Sequence, residues 1–289
     1  MSKVRADVIA AAAALAALVS GALSSGALAA TSQAPLREVH WSFDSPLGMY
    51  DQEQLQRGYK VYHEVCSACH SMNLVAFRNL GDPGGPFWNP KFPNPNDNPV
   101  AKALARDVQY DDIDSETGEP IKRPGTTADY FPKPFPNTIA ARAANGGALP
   151  PDMSLLAAAR EGGPRYIYSL VTGDGTPAPP GLTIPDGKYY DPYLPGDLSS
   201  YWTGDPKKVP KGGFIAMPPP LIDDRVAFDD GTKATVDQEA KDVAAFLEWA
   251  SDPKMDQRKE LGVEVLIFLA VFTGLLYASY RSIWRNVGH

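Results

Sequence analysis

The sequence predicts a mostly helical, exported domain with long ordered loops, tied to a membrane by one C-terminal helix. Three observations carry that expectation. The 289-residue chain has an apolar run near each end. Its middle alternates short helical patterns with loops dense in the chain's 28 prolines and 25 glycines. Runs with strand-like alternation are scarce.

The first thirty residues read as a secretory leader. Lys3 and Arg5 give a positive start, residues 8–28 are rich in Ala, Leu and Val, and Ala27-Leu28-Ala29 offers a small-x-small cleavage site. The polar exit Thr31-Ser32-Gln33 favours cleavage over an uncleaved anchor. Residues 31–260 then form one domain, long enough to bury its own core.

Within that domain, residues 35–50 are an irregular lead-in carrying His40, Trp41 and Phe43. A helix is expected over residues 51–65: Asp51 can cap it, Glu53 lies in the first turn, and Leu55, Tyr59 and Tyr62 recur at helical spacing. Residues 81–98 are loop, and 99–108 read as a short helix. The acidic run Asp111-Asp112-Ile113-Asp114-Ser115-Glu116 is surface-facing, and the proline-rich stretch 120–136 follows. Short helices are expected at 137–144, 153–160 and 164–171, the last two separated by Gly162-Gly163. Residues 172–213 show no periodicity, and a loop so long usually has a binding or packing role. The last soluble helix spans 236–249, presenting Val243, Phe246, Leu247 and Trp249, and Asp252-Pro253 ends it. A short polar linker leads onward.

Residues 261–281 form the expected membrane span. About twenty residues at ~1.5 Å rise cross a hydrocarbon core of roughly 30 Å. Glu264, its only acid, sits near the start, where it can reach the headgroups. Arg281 and Arg285 follow, so the tail 282–289 is expected on the cytoplasmic side and the domain on the outer side.

The formal net charge is −7, and the leader to be removed is itself basic, so the exposed domain is acidic. Such a domain attracts basic partners and lacks the positive footprint that nucleic acid requires.

The chain's two cysteines fall in Cys66-Ser67-Ala68-Cys69-His70. This spacing predicts one haem held covalently, with each thiol adding to a vinyl group and His70 beneath the iron. A thioredoxin-like pair would share Cys-x-x-Cys, but the βαβ pattern is absent and the histidine is present. For the sixth ligand the chemistry offers Met49, Met72, Met153, Met217 and Met255, with His40, His63 and His289. Met72 is too near His70 to reach the opposite face, and Met255 and His289 lie beside or beyond the span. Met217 leads, with Met153 behind it and better suited to core filling. Met217 follows Gly212-Gly213, which permit close backbone approach, and precedes the stiff run Pro218-Pro219-Pro220. A thioether ligand raises the potential and closes the sixth position, which suits electron transfer. Arg160, with Tyr166 behind it, is a candidate donor to a haem propionate; a surface ion pair is the plainer reading of Arg160.

Four further patterns carry a resemblance. They are residues 141–154, with Asn145-Gly146-Gly147 and Pro150-Pro151-Asp152; residues 166–173; residues 214–221 around Met217; and Trp249-Ala250 with its closely following anchor. Over nearly the whole mature chain the sequence resembles the cytochrome c1 family in its bacterial form. The resemblance implies a class I cytochrome c-like haem domain on the periplasmic side of the bacterial inner membrane. It implies Cys66 and Cys69 as thioether cysteines, His70 and Met217 as axial ligands, Arg160 near a propionate and Tyr166 beside the pocket. It further implies that the helix at 51–65 packs across that at 236–249.

The implied role is the electron-transfer subunit of a cytochrome bc1 complex, a quinol–cytochrome c reductase. The chain would take one electron from the Rieske iron–sulfur protein and pass it to a basic soluble or tethered cytochrome c, with residues 111–116 part of the docking patch. Cytochrome b and lipid would meet the anchor, in a complex that is itself dimeric. The tract 174–203 resembles a bacterial insertion, and no cysteine is left here to tie it by a disulfide. A free tethered shuttle or a haem sensor would share the haem motif; the shuttle would lack a quinol-oxidising core, and the sensor would keep an open sixth position.

Overall fold

The computed structural model describes residues 33–285. The expected leader and the tail from residue 286 onward, with His289, lie outside the described residues. Six α-helices and four short strands are described, joined by ordered loops.

Helix α1, Gln52–Glu64, starts where the carboxylate of Asp51 accepts from the N–H groups of Glu53 and Gln54 at 3.0 and 3.2 Å. This satisfies donors that a helix start otherwise leaves orphaned. Leu55, Tyr59 and Tyr62 lie on its buried face, as their spacing predicts. Helix α2, Pro99–Arg106, starts similarly at Asn98 with proline in its first turn. The buried Asn98 amide also donates to the carbonyl of Phe87 at 2.7 Å.

The acidic run folds as a hairpin: β1, Gln109–Ile113, pairs antiparallel with β2, Pro120–Pro124. Its register explains the charges. Asp111 pairs with Lys122 directly across, and Asp112 accepts from Arg123 Nε at 2.5 Å. Arg123 also grips Asp129 with both terminal nitrogens at 2.7 and 2.8 Å.

Helices α3, Thr138–Ala144, and α4, Pro164–Gly173, follow. The helix expected at 153–160 is instead a series of turns. Its backbone bonds mix spacings, Leu156 N to Met153 O, Ala159 N to Leu155 O and Arg160 N to Ala157 O, so no regular i→i−4 ladder forms. Within the long loop, β3, Tyr189–Asp191, pairs with β4, Gly213–Ile215.

Helix α5, Val236–Ser251, capped by Thr235, runs through the core. Helix α1 crosses it at Gly58, where a Cβ would lie 2.1 Å from the carbonyl oxygen of Asp242. Only glycine permits that approach. The expected packing of these two helices is therefore present, and α4 also packs on α5. Around the crossing, Tyr59 and Tyr62 meet Phe131 and Phe246, and Phe246 stacks on Trp249. Trp41 and Phe43 of the lead-in are seated in the same core.

Helix α6, Met255–Trp284, has a mean hydropathy of 2.2 over its most apolar 18 residues, none of them buried. It begins six residues before Leu261, so the expected polar linker is its first turns. Those turns hold the domain. Met255 is buried, Asp256 Oδ1 accepts from Tyr50 N at 3.2 Å, and Lys259 Nζ donates to the carbonyls of Phe43, Ser45 and Gly48 at 2.7–3.0 Å. Lys259→Met is expected to cost about 2 kcal/mol, the order of a hydrogen bond made by a charged group. Hydrogen exchange should then speed up at residues 43–50 and leave α1 unchanged. Equal protection of the lead-in in variant and wild type would contradict this clamp.

The haem attachment site

Helix α1 ends at Val65 and passes directly into a 3-10 turn, Cys66–Ala68. Two backbone bonds close it: Cys69 N and His70 N donate to Cys66 O at 3.1 and 2.9 Å. No disulfide joins the two cysteines; Cys66 is half-covered and Cys69 exposed. Burial pushes the Cys66 thiol up to about 12. Beside Cys69 a shallow cleft of about 200 Å³ is lined by Ser71, Asn73, Phe135, Leu149 and Pro150.

His70 is 9% exposed, and its Nδ1 lies 2.9 Å from the carbonyl oxygen of Pro151. A carbonyl only accepts, so Nδ1 carries the proton and Nε2 keeps its lone pair. Burial holds the ring below its ordinary pKa, against a smaller upward pull from that carbonyl. The imidazole is therefore neutral and ready to ligate.

The segment that orients His70 is itself stitched in place. Asp152 Oδ2 accepts from Ser71 Oγ and Asn73 N, both at 2.8 Å, and Ser154 Oγ accepts from Leu74 N at 3.0 Å. The tie from Asp152 to the haem motif is not legible in the resemblance pattern at residues 141–154. The available signal was the Asp-x-Ser pattern, in which the aspartate caps its own turn.

Arg160 is exposed and donates to the carbonyl of Ala159 at 3.0 Å. Tyr166, buried on α4, has its phenol pushed up by burial and drawn back by the Arg160 guanidinium beside it. The structure thus brings these two together. Met217 lies on a separate segment, half-buried, two residues past β4. The close approach expected of Gly212 is present: its φ is +118°, and a Cβ there would lie 2.4 Å from Asp191 O. Met72, Met153 and Met255 are all packed in the hydrophobic core.

Two cysteines three positions apart with no disulfide between them, followed by a buried, tautomer-fixed imidazole, suit a covalently attached haem. Among the described residues no group of three or more His, Cys, Asp or Glu side chains is placed to cage a bare metal ion. With the long unburied helix α6, these features define a membrane-anchored c-type cytochrome. Residues 41–287 match the model of the Cytochrome C1 family. Cytochrome c1 of Rhodospirillum rubrum is 44% identical over 269 residues, covering 88% of this chain and 89% of that protein. The mitochondrial "Cytochrome c1, heme protein" of Saccharomyces cerevisiae is 44% identical over 230 residues, covering 80% and 66%. "Cytochrome b/c1" of Bradyrhizobium diazoefficiens is 42% identical over 266 residues, 85% of this chain, which spans only 35% of that longer protein.

The chain belongs to the cytochrome c1 family. It is a one-electron carrier, the c1 subunit of a cytochrome bc1 complex, with haem c attached through Cys66 and Cys69. Helix α6, the one helix among the described residues long and apolar enough to cross a membrane, anchors it in the bacterial inner membrane with the haem domain on the periplasmic side. Family membership implies association with cytochrome b, the Rieske protein and cytochrome c.

Proposed function

We propose that His70 Nε2 and the sulfur of Met217 would hold the iron of that haem, with Arg160 donating to a propionate and Tyr166 beside the pocket. The observation that carries this is the His70 Nδ1 bond to Pro151, which leaves one basic nitrogen free next to both thiols. Met217 is favoured because Met72, Met153 and Met255 are committed to the core, while Met217 sits on a glycine-entered, proline-braced segment. When bound, haem supplies reversible one-electron storage, at a potential raised by a thioether ligand. The chain's residues fix the ring, close the sixth position and limit water, so no proton transfer or covalent substrate step is required.

In this reading the domain accepts an electron from the Rieske protein and delivers it to a basic, soluble or tethered cytochrome c. Residues 111–116 form part of the docking patch; Asp111 and Asp112 stay exposed but are answered by Lys122 and Arg123 within the hairpin, so Glu116 and Glu119 add charge without a partner in an ion pair among the described residues. The anchor meets cytochrome b and lipid, and the complex is dimeric. The chain is organised as leader 1–30, haem domain 31–260, span 261–281 and tail 282–289.

Gentle detergent extraction, followed by optical spectroscopy and subunit analysis of one fraction, tests the assembly. The expected fraction holds a c-type haem on this chain together with b haems and a Rieske protein. A c-type band on this chain alone would replace the subunit reading with a tethered shuttle.

A further inference from the structure

The lead-in ahead of α1 leaves two large apolar side chains in the open. Leu47 is 70% exposed and Met49 40%, in a run from Ser45 to Tyr50 that carries no charge. Single exposed apolar side chains are common on any protein surface, so exposure alone decides nothing. Their position beside the membrane anchor does.

The loop is held against the start of α6, and its contacts descend that helix. The Tyr50 hydroxyl donates to Asp252 O at 3.2 Å, just before α6 begins. Tyr50 N donates to Asp256 Oδ1 at 3.2 Å. Lys259 Nζ then donates to the carbonyls of Ser45 and Gly48 at 3.0 and 2.7 Å. Going back from Tyr50 toward Leu47, the chain thus steps down α6 by about one turn, ~5 Å. Leu261, the first residue of the apolar run, lies only ~3 Å further along the axis than Lys259.

The tip is also stiff. Gly48 N donates to Ser45 O at 3.0 Å, and a Cβ on Gly48 would lie 2.1 Å from Ser42 O. The flanking acids are engaged: Asp44 Oδ2 accepts from Trp41 N at 3.0 Å, and Asp51 caps α1. An uncharged tip led by leucine and methionine, level with the entry of an apolar span, matches the boundary between headgroups and acyl chains. A protein partner asks for more. Two side chains fall well short of the roughly 800 Å² that each partner of a standard interface buries.

We propose that Leu47 and Met49 form a second membrane contact, inserting among the phospholipid headgroups of the outer leaflet beside the entry of α6. The domain then meets the bilayer at two points, the span and the tip. Two points limit its tilt about α6 and hold the haem motif at a set height above the lipid. The inference rests on α6 entering the membrane near Leu261, so its test includes labels in the span.

The complex carrying Leu47→Cys is labelled with bimane and reconstituted into phosphatidylcholine vesicles. Emission is quenched in turn by lipid brominated high on its acyl chains and by aqueous iodide. Wild-type complex labelled in parallel supplies the background from other thiols. Leu266→Cys and Phe268→Cys, about 200° apart around α6, report the span on two faces. Ile113→Cys on the acidic hairpin, 66% exposed, reports a site open to water. The label at position 47 should lose at least about half of its emission to brominated lipid and resist iodide, as an interfacial side chain does. The label at position 113 should show the reverse. Quenching at position 47 by iodide alone overturns the proposal. Shielding there from both quenchers also overturns it and assigns the tip to another subunit. If positions 266 and 268 both escape brominated lipid, the span itself fails and the proposal falls with it. Should Leu47→Cys not assemble, Met49→Cys decides by the same readings.

Discussion

Asp242→Ala is expected to destabilise the haem domain by about 3–5 kcal/mol, the range for breaking a buried charge pair from one side. Asp242 is fully buried where α1 crosses α5. Its carboxylate accepts from Gln54 Nε2, Gln238 Nε2 and Arg57 Nε, each at 2.8 Å. Arg57 is only 14% exposed and also reaches Asp230 at 2.7 Å. Removing the carboxylate leaves two amides short of an acceptor and a half-paired guanidinium between packed helices. Because α1 delivers the chain to Cys66, the loss should appear both as a lower Tm and as a lower yield of haem-bearing protein. Asp229→Ala is the control. Its carboxylate is 89% exposed, and its bond to Lys60 is worth at most about 1 kcal/mol. Equal losses from the two variants would contradict the account of the crossing.

Met217→Leu is expected to leave haem covalently attached, since Cys66, Cys69 and the His70–Pro151 bond are untouched. Leucine offers no lone pair, so the iron loses its soft ligand and the potential should fall on the order of 100 mV or more. Reduction by the Rieske protein then becomes uphill, and quinol-to-cytochrome c turnover should drop at least about tenfold. Reduced protein should also bind carbon monoxide, because the sixth position is open. The same substitution at Met153, which is buried in the core, should shift stability by less than about 1.5 kcal/mol and leave the potential near its original value. An unchanged potential in Met217→Leu would remove Met217 from the ligand set.

Much of the helical fold was legible because its signals are local. Asp51, Asn98, Asn137 and Thr235 all cap the helices that they precede. The buried faces of α1 and α5 follow the spacing of Tyr59, Tyr62, Val243 and Phe246. What escaped depends on partners distant in sequence. The β1–β2 hairpin hid behind its acids, whose partners are Lys122 directly across from Asp111 and Arg123 diagonal to Asp112. Residues 154–160 have helical composition, but Asp152 and Ser154 spend their bonding on residues 71–74. Likewise, Lys259 and Asp256 look like a solvated linker until residues 43–50 supply their partners. At the site, the haem motif is readable outright, whereas the carbonyl that sets the His70 tautomer is 81 residues away.

The central claim is that this chain relays single electrons between the Rieske protein and an external cytochrome c. Stopped-flow mixing of the oxidised, solubilised complex with quinol tests it most directly, followed at the c-type band and then by addition of a basic cytochrome c. The account predicts rapid reduction of the c-type haem that disappears when the Rieske protein is extracted. It also predicts reoxidation by cytochrome c at a rate that falls steeply with ionic strength, as opposite charges are screened. Undiminished reduction without the Rieske protein, or no reoxidation by cytochrome c, would contradict it.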